Sequence, residues 1–486
     1  MQPTNPKQVK KHTQTVAKQD RCPHYKKCGG CQLQNLPYTR QLSFKQVKVI
    51  KLLGRYHHVS EIIGMENPYH YRNKVQSAFG ERRGQIISGV YQSSTHNIVP
   101  VDSCMIEDQK ADEIIVTIRK LLKSFKLKAF NDVTMKGFLR HVLVKRSFAT
   151  GQIMVVLVTS TSEFKSSSKF VNALLERHGE ITTVVQNVNN KFTSLILGEE
   201  TKVLYGDGYI EDELCGCRFR ISPKAFYQIN PTQTAVLYGK ALEFAELTGE
   251  ERLLDAYCGT GTIGIIAASK VKSVVGVELN PDAVKDAITN AKLNDVKNIK
   301  FYKDDAGKFM VTAAENGEKY DVVIMDPPRA GASLDFLRSL VTLMPEKIVY
   351  ISCNPETQAR DLSFLTRKGY KVRRIQPVDM FPHTDHVETV ALLSRQKVDE
   401  HIYLDVNVQD LPKTTRTTAT YPEIKAYIKD KYGLNVTSLN IAQIKEKHGF
   451  EKRENYNKGK EGHRVPNCPP EKEKAIEDAF KHFGML

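Results

Sequence analysis

Lys347-Ile-Val-Tyr-Ile-Ser-Cys-Asn-Pro355 is the stretch from which the fold can be read. Its β-branched run, Ile348, Val349 and Ile351, is apolar on alternate and adjacent positions alike, the pattern of a strand buried on both faces. Pro355 cannot donate to a sheet ladder, so the strand ends near Ser352. Cys353 therefore falls at the carboxyl end of a central strand, where open α/β sheets take their ligands. Upstream, Tyr320-Asp-Val-Val-Ile-Met-Asp-Pro-Pro-Arg329 repeats the arrangement: a buried strand, then the carboxylate of Asp326 and two prolines. Two strands that offer reactive groups at one sheet edge mark a site, although a lone cysteine is more often simply core.

Outward from there, strands alternate with helices. Helices are expected over 232–247, 281–293, 306–315, 333–342 and 355–368, with strands at 299–302, 320–325, 347–351, 372–377 and 387–393. This is the order of a parallel α/β sheet. Leu253-Leu-Asp-Ala-Tyr-Cys-Gly-Thr-Gly261 supplies a strand followed by a glycine turn, and Val274 to Glu278 a second strand that ends in a carboxylate about twenty residues on. Ala256-Tyr257-Cys258 stands where a dinucleotide site would want a glycine, so a nucleoside cofactor without pyrophosphate fits better, and S-adenosylmethionine is such a cofactor. Asp304 and Asp305 suit either an adenine contact or a helix N-cap. Glu388 opens the last apolar strand, where burial would raise its proton affinity.

The 486 residues carry a net charge of +16, which favours a polyanionic partner such as RNA. No apolar run reaches the ~18 residues needed to span a bilayer. The first twenty residues are polar and lysine-rich without a signal core, so a cytoplasmic protein is expected. Cys22, Cys28 and Cys31 form a C-x5-C-x2-C run with Cys104 or His24 as a fourth donor; a closed zinc site and an iron–sulfur cluster both use such ligands. From Pro68 to about Arg220 strands surround one helix, 111–123. There Arg72, Lys74, Arg140, His141, Lys145 and Arg146, interleaved with aromatics, are candidates for RNA contact. The expected organisation is a disordered basic leader (1–20), an iron–sulfur and central α+β RNA-binding domain (21–221), a methyltransferase domain (222–397) and a helical extension (398–486). In the extension, helices at 421–432, 438–448 and 470–483 with turns at Gly433 and Gly449 suggest a helix-turn-helix.

A thiol, a carboxylate and a methyl donor are the minimum set for methylating carbon 5 of a uracil: the thiol adds at carbon 6, and the base removes the carbon 5 proton after transfer. With these parts assembled, residues 20–395 resemble the RNA uridine-5 methyltransferase family, in its iron–sulfur branch acting on 23S ribosomal RNA. The motifs that carry the resemblance are the four cysteines, Gln228-Ile-Asn230, Asp255-Ala-Tyr-Cys-Gly-Thr-Gly261, Asp326-Pro-Pro-Arg329, Ser352-Cys-Asn-Pro355 and His383-Thr-Asp-His-Val-Glu388. The resemblance implies a Rossmann-like fold, Cys353 as nucleophile and Glu388 as base. It implies Gln228, Tyr257, Glu278 and Asp326 as S-adenosylmethionine contacts, and a 4Fe–4S cluster on Cys22, Cys28, Cys31 and Cys104, in a protein expected to act as a monomer. Two features depart from it: no β-barrel domain fits before the cysteines, and the tail lies beyond the family core. Alternatives are a tRNA uridine-5 methyltransferase, an adenine amino-methyltransferase (disfavoured by Arg329 where an aromatic would stack the base), and a non-catalytic iron–sulfur RNA-binding protein.

Overall fold

A computed structural model describes residues 21–93, 95–193, 195–396, 419–450 and 467–486. The leader 1–20 lies outside them, as do 397–418 and 451–466 of the extension. The chain divides into two compact units, one up to residue 397 and one beyond it.

In the first unit a helical turn, α1 (Tyr25–Cys28), precedes helix α2 (Tyr38–Leu53). A seven-stranded sheet follows: β1 (Lys74–Arg82), β2 (Gln85–Tyr91), β3 (Ile98–Pro100), β4 (Leu139–Arg146), β5 (Ile153–Thr159), β6 (Ile181–Val188) and β7 (Glu200–Tyr205), in the order β3-β2-β1-β4-β5-β6-β7. All its pairs are antiparallel except β5–β6, which helix α4 (Ser167–Leu175) connects as a crossover. Helices α3 (Gln109–Ser124) and α4 cover one face through Ile114, Ile118, Leu122, Phe170 and Leu174. The other face (Leu143, Met154, Val156, Val158) joins one apolar core with the second sheet, and the hairpin β8 (Ile210–Leu214)–β9 (Cys217–Ile221) lies in that same core.

The second sheet takes β10 (Arg252–Ala256), β11 (Ser273–Glu278), β12 (Ile299–Lys303), β13 (Val322–Met325), β14 (Lys347–Ser352), β15 (Tyr370–Val378) and β16 (Glu388–Arg395). Their order is β12-β11-β10-β13-β14-β16-β15, parallel up to β14, with β16 antiparallel to both neighbours. Helices α5 (Pro231–Ala245), α6 (Thr262–Ala267) and α7 (Pro281–Leu293) contribute to the core on one face. Helices α8 (Ala306–Glu315), α9 (Leu334–Leu343), α10 (Pro355–Arg367) and α2 contribute to that on the other. The placement of α2 is unforeseen: Val49 and Leu53 pack with Leu362, Ile375 and Ala391, although they precede the central sheet in the chain. Residues 60–63 then run parallel to the edge strand β15, with Ser60 N–H on Ile375 O and Ile63 N–H on Pro377 O. That closes an edge which would otherwise expose a row of unpaired backbone groups.

In the second unit, α11 (Tyr421–Tyr432), α12 (Ser438–Lys447) and α13 (Pro470–His482) enclose Ile424, Ile428, Ile441, Ile444, Ile476 and Phe480. Thr437 and Asn440 form a reciprocal capping box at the start of α12. Three of its basic side chains are neutralised within the unit: Lys431 pairs with Asp478, Lys447 with Glu473 and His448 with Glu477.

Candidate active site

The carboxyl ends of β10, β13 and β14 meet at one edge of the second sheet, and the residues just past them build the site. After β10, Tyr257, Gly259 and Gly261 all take positive φ. At Gly261 a Cβ would come within 2.8 Å of the Phe301 ring, so only glycine allows α6 to start so close to the sheet. The turn opens a cleft of about 420 Å³ lined by Gln228, Tyr257, Gly259, Thr262, Asp326 and the exposed ring of Phe226, among others. Three of the four expected cofactor contacts thus share one cavity. Glu278, the fourth, stands behind the turn: its carboxylate accepts the N–H of Gly259 at 3.1 Å and that of Asn280 at 2.7 Å. Asp255 braces the turn from below by accepting the Gly264 N–H at 2.8 Å. Asp305 accepts the Lys308 N–H at 3.1 Å as the N-cap of α8, so the capping alternative describes it.

Cys353 and Glu388 come together through register. The ladder between β14 and β16 pairs Ile351 with Val390 and ends at Ser352 with Thr389; Cys353 and Glu388 are the next residues on the two strands, and the charge of Glu388 acts on the Cys353 thiol. Cys353 is half-buried and Glu388 is 5% exposed. Burial, reinforced by the charges of Glu388 and Asp326 and opposed by Arg329, raises the Cys353 thiol to about 11. Burial and the charge of Asp326, again opposed by Arg329, raise Glu388 to about 8. Burial lifts Asp326 to about 7. The Cys353 thiol therefore feels the charges of Glu388 and Asp326, Glu388 feels that of Asp326, and Arg329 is the cation that opposes both rises. In the sequence Arg329 closes the Asp326-Pro-Pro-Arg motif and disfavours adenine, without a charge role assigned to it; the signal for that role is its place three residues beyond Asp326. Asn354 and Thr357, at the start of α10, hold the Arg329 carbonyl at 3.2 Å each.

The basic residues expected to grip RNA are mostly committed inside. Arg140 donates to the carbonyls of Asn189 and Lys191, Lys145 to those of Ser222 and Ala225, and Arg146 pairs with Asp108 at 2.8 Å. His141 is buried beside Tyr91. β4 is buried along nearly its whole length, so its alternating charges brace the fold instead of facing solvent. Arg72 and Lys74 are half-buried, and Lys74, 5.9 Å from the Phe226 ring, makes no ion pair among the described residues.

Cys22, Cys28, Cys31 and Cys104 are half-buried free thiols. Burial raises Cys28 and Cys31 (the latter to about 12), with neighbouring cysteines adding to the rise, and Glu107 acts on Cys28, Cys31 and Cys104 alike. Thiolates are the ligands of iron–sulfur clusters, and the Glu107 charge beside Cys28, Cys31 and Cys104 works against their ionisation. Among the described residues, however, no group of three or more His, Cys, Asp or Glu is arranged to hold a metal ion. A single zinc would draw its thiolates to one centre at about 2.3 Å, and that convergence is not formed.

Compared with known proteins, residues 37–396 match the sequence model of the tRNA (Uracil-5-)-methyltransferase family. The matched region leaves out Cys22, Cys28, Cys31 and the helical extension. An uncharacterized RNA methyltransferase of Clostridium tetani is 44% identical over 377 residues, covering 77% of this chain and 82% of that protein. One of Bacillus cereus is 42% identical over 393 residues, covering 80% and 85%. Among solved structures, the Pyrococcus abyssi tRNA (uracil-54, C5)-methyltransferase in complex with S-adenosyl-L-homocysteine superposes with a TM-score of 0.63 at 30% identity, over 75% of this chain and 85% of that one.

Proposed function

The chain belongs to the tRNA (uracil-5-)-methyltransferase family, a family of S-adenosylmethionine-dependent RNA methyltransferases, and on that premise we propose that it methylates carbon 5 of a uridine in 23S ribosomal RNA through a covalent Cys353 adduct. What supports the mechanism is that Cys353 and Glu388 immediately follow the last β14–β16 pair, Ser352 with Thr389, and that the charge of Asp326, which lines the cleft, acts on both.

S-adenosylmethionine would be held by Gln228, Tyr257 and Asp326, which line the cleft, and by Glu278 behind the glycine turn, and would supply a methyl group bonded to a positively charged sulfur. The Cys353 thiol, raised to about 11, gives up its proton to solvent as its sulfur bonds to carbon 6 of the uracil, and the electron pair of the carbon 5–carbon 6 double bond makes carbon 5 nucleophilic. Carbon 5 takes the methyl group, and the donor's carbon–sulfur bond breaks with its pair left on that sulfur. The Glu388 carboxylate then removes the proton from carbon 5; the ring double bond re-forms and the bond to Cys353 breaks. Arg329 favours the thiolate and the ionised carboxylate, the two charged forms that this sequence needs. The uracil must leave its stack to reach the sheet edge, so the target lies in a loop or is flipped out.

The choice of 23S ribosomal RNA, and a 4Fe–4S cluster on Cys22, Cys28, Cys31 and Cys104, rest on the cysteine run and on the resemblance to the iron–sulfur branch of the family. The likeness to the Pyrococcus abyssi protein favours transfer RNA as the second reading. Incubating the protein with methyl-labelled S-adenosylmethionine and total RNA, then mapping the label, tests both. The expected product is 5-methyluridine in the large ribosomal RNA. Label in transfer RNA selects the second reading, and label on an adenine amino group overturns the mechanism.

A further inference from the structure

The nine residues between β15 and β16, Asp379 to Val387, end at Glu388, and the buried polar groups that hold them take no part in the steps above. Helix α2 presents Tyr38, Gln41, Lys45 and Lys48 along one stripe, spaced three and four residues apart. Lys45 Nζ meets Asp379 Oδ1 at 2.5 Å with both side chains at 0% exposure, and it also donates to the Phe381 carbonyl at 3.0 Å. Tyr38 donates to the other Asp379 oxygen at 2.9 Å. Gln41 accepts the His383 N–H at 2.8 Å and lies 3.1 Å from His383 Nδ1. Leu33, two residues past Cys31, donates its N–H to the His383 carbonyl. From the other side Asn230 and Gln233 donate to the carbonyls of Met380 and Asp379 at 2.9 Å each.

His383 needs this grip. It is 2% exposed and sits at φ +69, a left-handed conformation that costs a non-glycine residue on the order of 1–3 kcal/mol unless its surroundings enforce it. A buried ion pair such as Lys45–Asp379 contributes little net stability, because desolvating both charges offsets their attraction; its use here is to select one loop conformation. We infer that Gln41 and Lys45 are positioning residues for the base: from a helix that precedes the central sheet, they fix the loop that aims Glu388 at the uracil carbon 5. This rests on the covalent mechanism proposed above. Proton removal is the step that depends on that aim, since misplacement by about 1 Å can cost on the order of a hundredfold, whereas thiol addition depends on β14 and α10.

The test compares wild type, Glu388→Gln, Gln41→Met and Lys45→Met with a uridine-containing RNA and S-adenosylmethionine, reading the rates of adduct formation and release on denaturing gels. In Gln41→Met and Lys45→Met, release slows at least tenfold while adduct formation stays within about threefold, so adduct accumulates during turnover. Should Lys45→Met not fold, Gln41→Met carries the comparison alone. Equal slowing of both steps, or no change in either, overturns the inference. If Glu388→Gln traps no adduct either, the covalent mechanism itself fails, and the two failures are thereby told apart.

Discussion

Replacing Glu388 by glutamine keeps the side chain's shape and removes its ability to take a proton as a carboxylate. The site predicts two separate consequences. With Glu388 raised to about 8, roughly one molecule in ten carries the ionised base at pH 7, and wild-type turnover should climb with pH until that group is fully ionised. The glutamine variant should lose about 10²–10⁴-fold in turnover, the usual worth of a positioned general base, while still forming the Cys353 adduct, which then persists on a denaturing gel.

The second consequence concerns stability. The folded-state value lies above the ordinary 4.5, so the folded protein holds this proton more tightly than the unfolded chain. Its contribution is intact below pH 4.5, is lost progressively as pH rises, and levels off above about 8. A rise from 4.5 to about 8 sets a ceiling of about 5 kcal/mol, which relaxation around the buried charge reduces. The variant should therefore melt at the wild-type temperature at pH 4.5 and several degrees higher at pH 8.5. Melting curves at the two pH values, set beside the gel, provide the assay. A variant that turns over within tenfold of wild type, or that melts with the same pH dependence, refutes the placement of Glu388 as a buried base.

Cys353→Ala should abolish methyl transfer and adduct while leaving S-adenosylmethionine affinity within about twofold, measured by calorimetry; surviving methylation of adenine would point to the other chemistry. Asp326→Asn should weaken S-adenosylmethionine binding at least tenfold. It should also shift the pH–rate curve to lower pH, because the Asp326 charge raises both Cys353 and Glu388. Protein purified without oxygen should contain iron and sulfide that Cys28→Ser loses, with the methylation of pre-bound RNA unchanged; iron-free wild type would remove the cluster from the proposal. Truncation after Gln396 should leave RNA affinity at low salt within about threefold, since the family match ends there and Lys431 and Lys447 of the tail pair with Asp478 and Glu473; a larger loss would assign RNA contact to the tail.

What could be read from the chain divides along physical lines. Strands buried on both faces and helices of ordinary period are announced by local pattern, and those of the second sheet stand within a few residues of their expected places. Helix α2 escapes the sequence pattern because its buried stripe runs Gln41, Lys45, Val49, Leu53, and a glutamine and a lysine in the first half of that stripe break the apolar period that identifies such a helix. The partner that makes Lys45 tolerable, Asp379, lies 334 residues away. The charges on β4 misled for the complementary reason: alternation separates the two faces of a strand, but it does not say that both will be covered. Arg140, Lys145 and Arg146 satisfy carbonyls and a carboxylate from distant loops that local pattern does not reach.

The site also explains why a purely parallel sheet would not serve. In parallel strands every carboxyl end points to one edge, so that edge can gather Asp255, next to last in β10, with Asp326 and Cys353, each just past a strand's last residue. A further parallel strand would deliver only its own last residues there. By running antiparallel between β14 and β15, β16 begins at this edge, so Glu388, the proposed base, is a strand's first residue and is buried among its neighbours. The loop before it must then cross the rim of the site, where a backbone with few ladder partners has to be held by side chains. A carboxylate raised by burial and a loop fixed by α2 and α5 are thus two results of the same reversal. The reversal supplies the desolvated environment that a proton acceptor working near neutral pH requires.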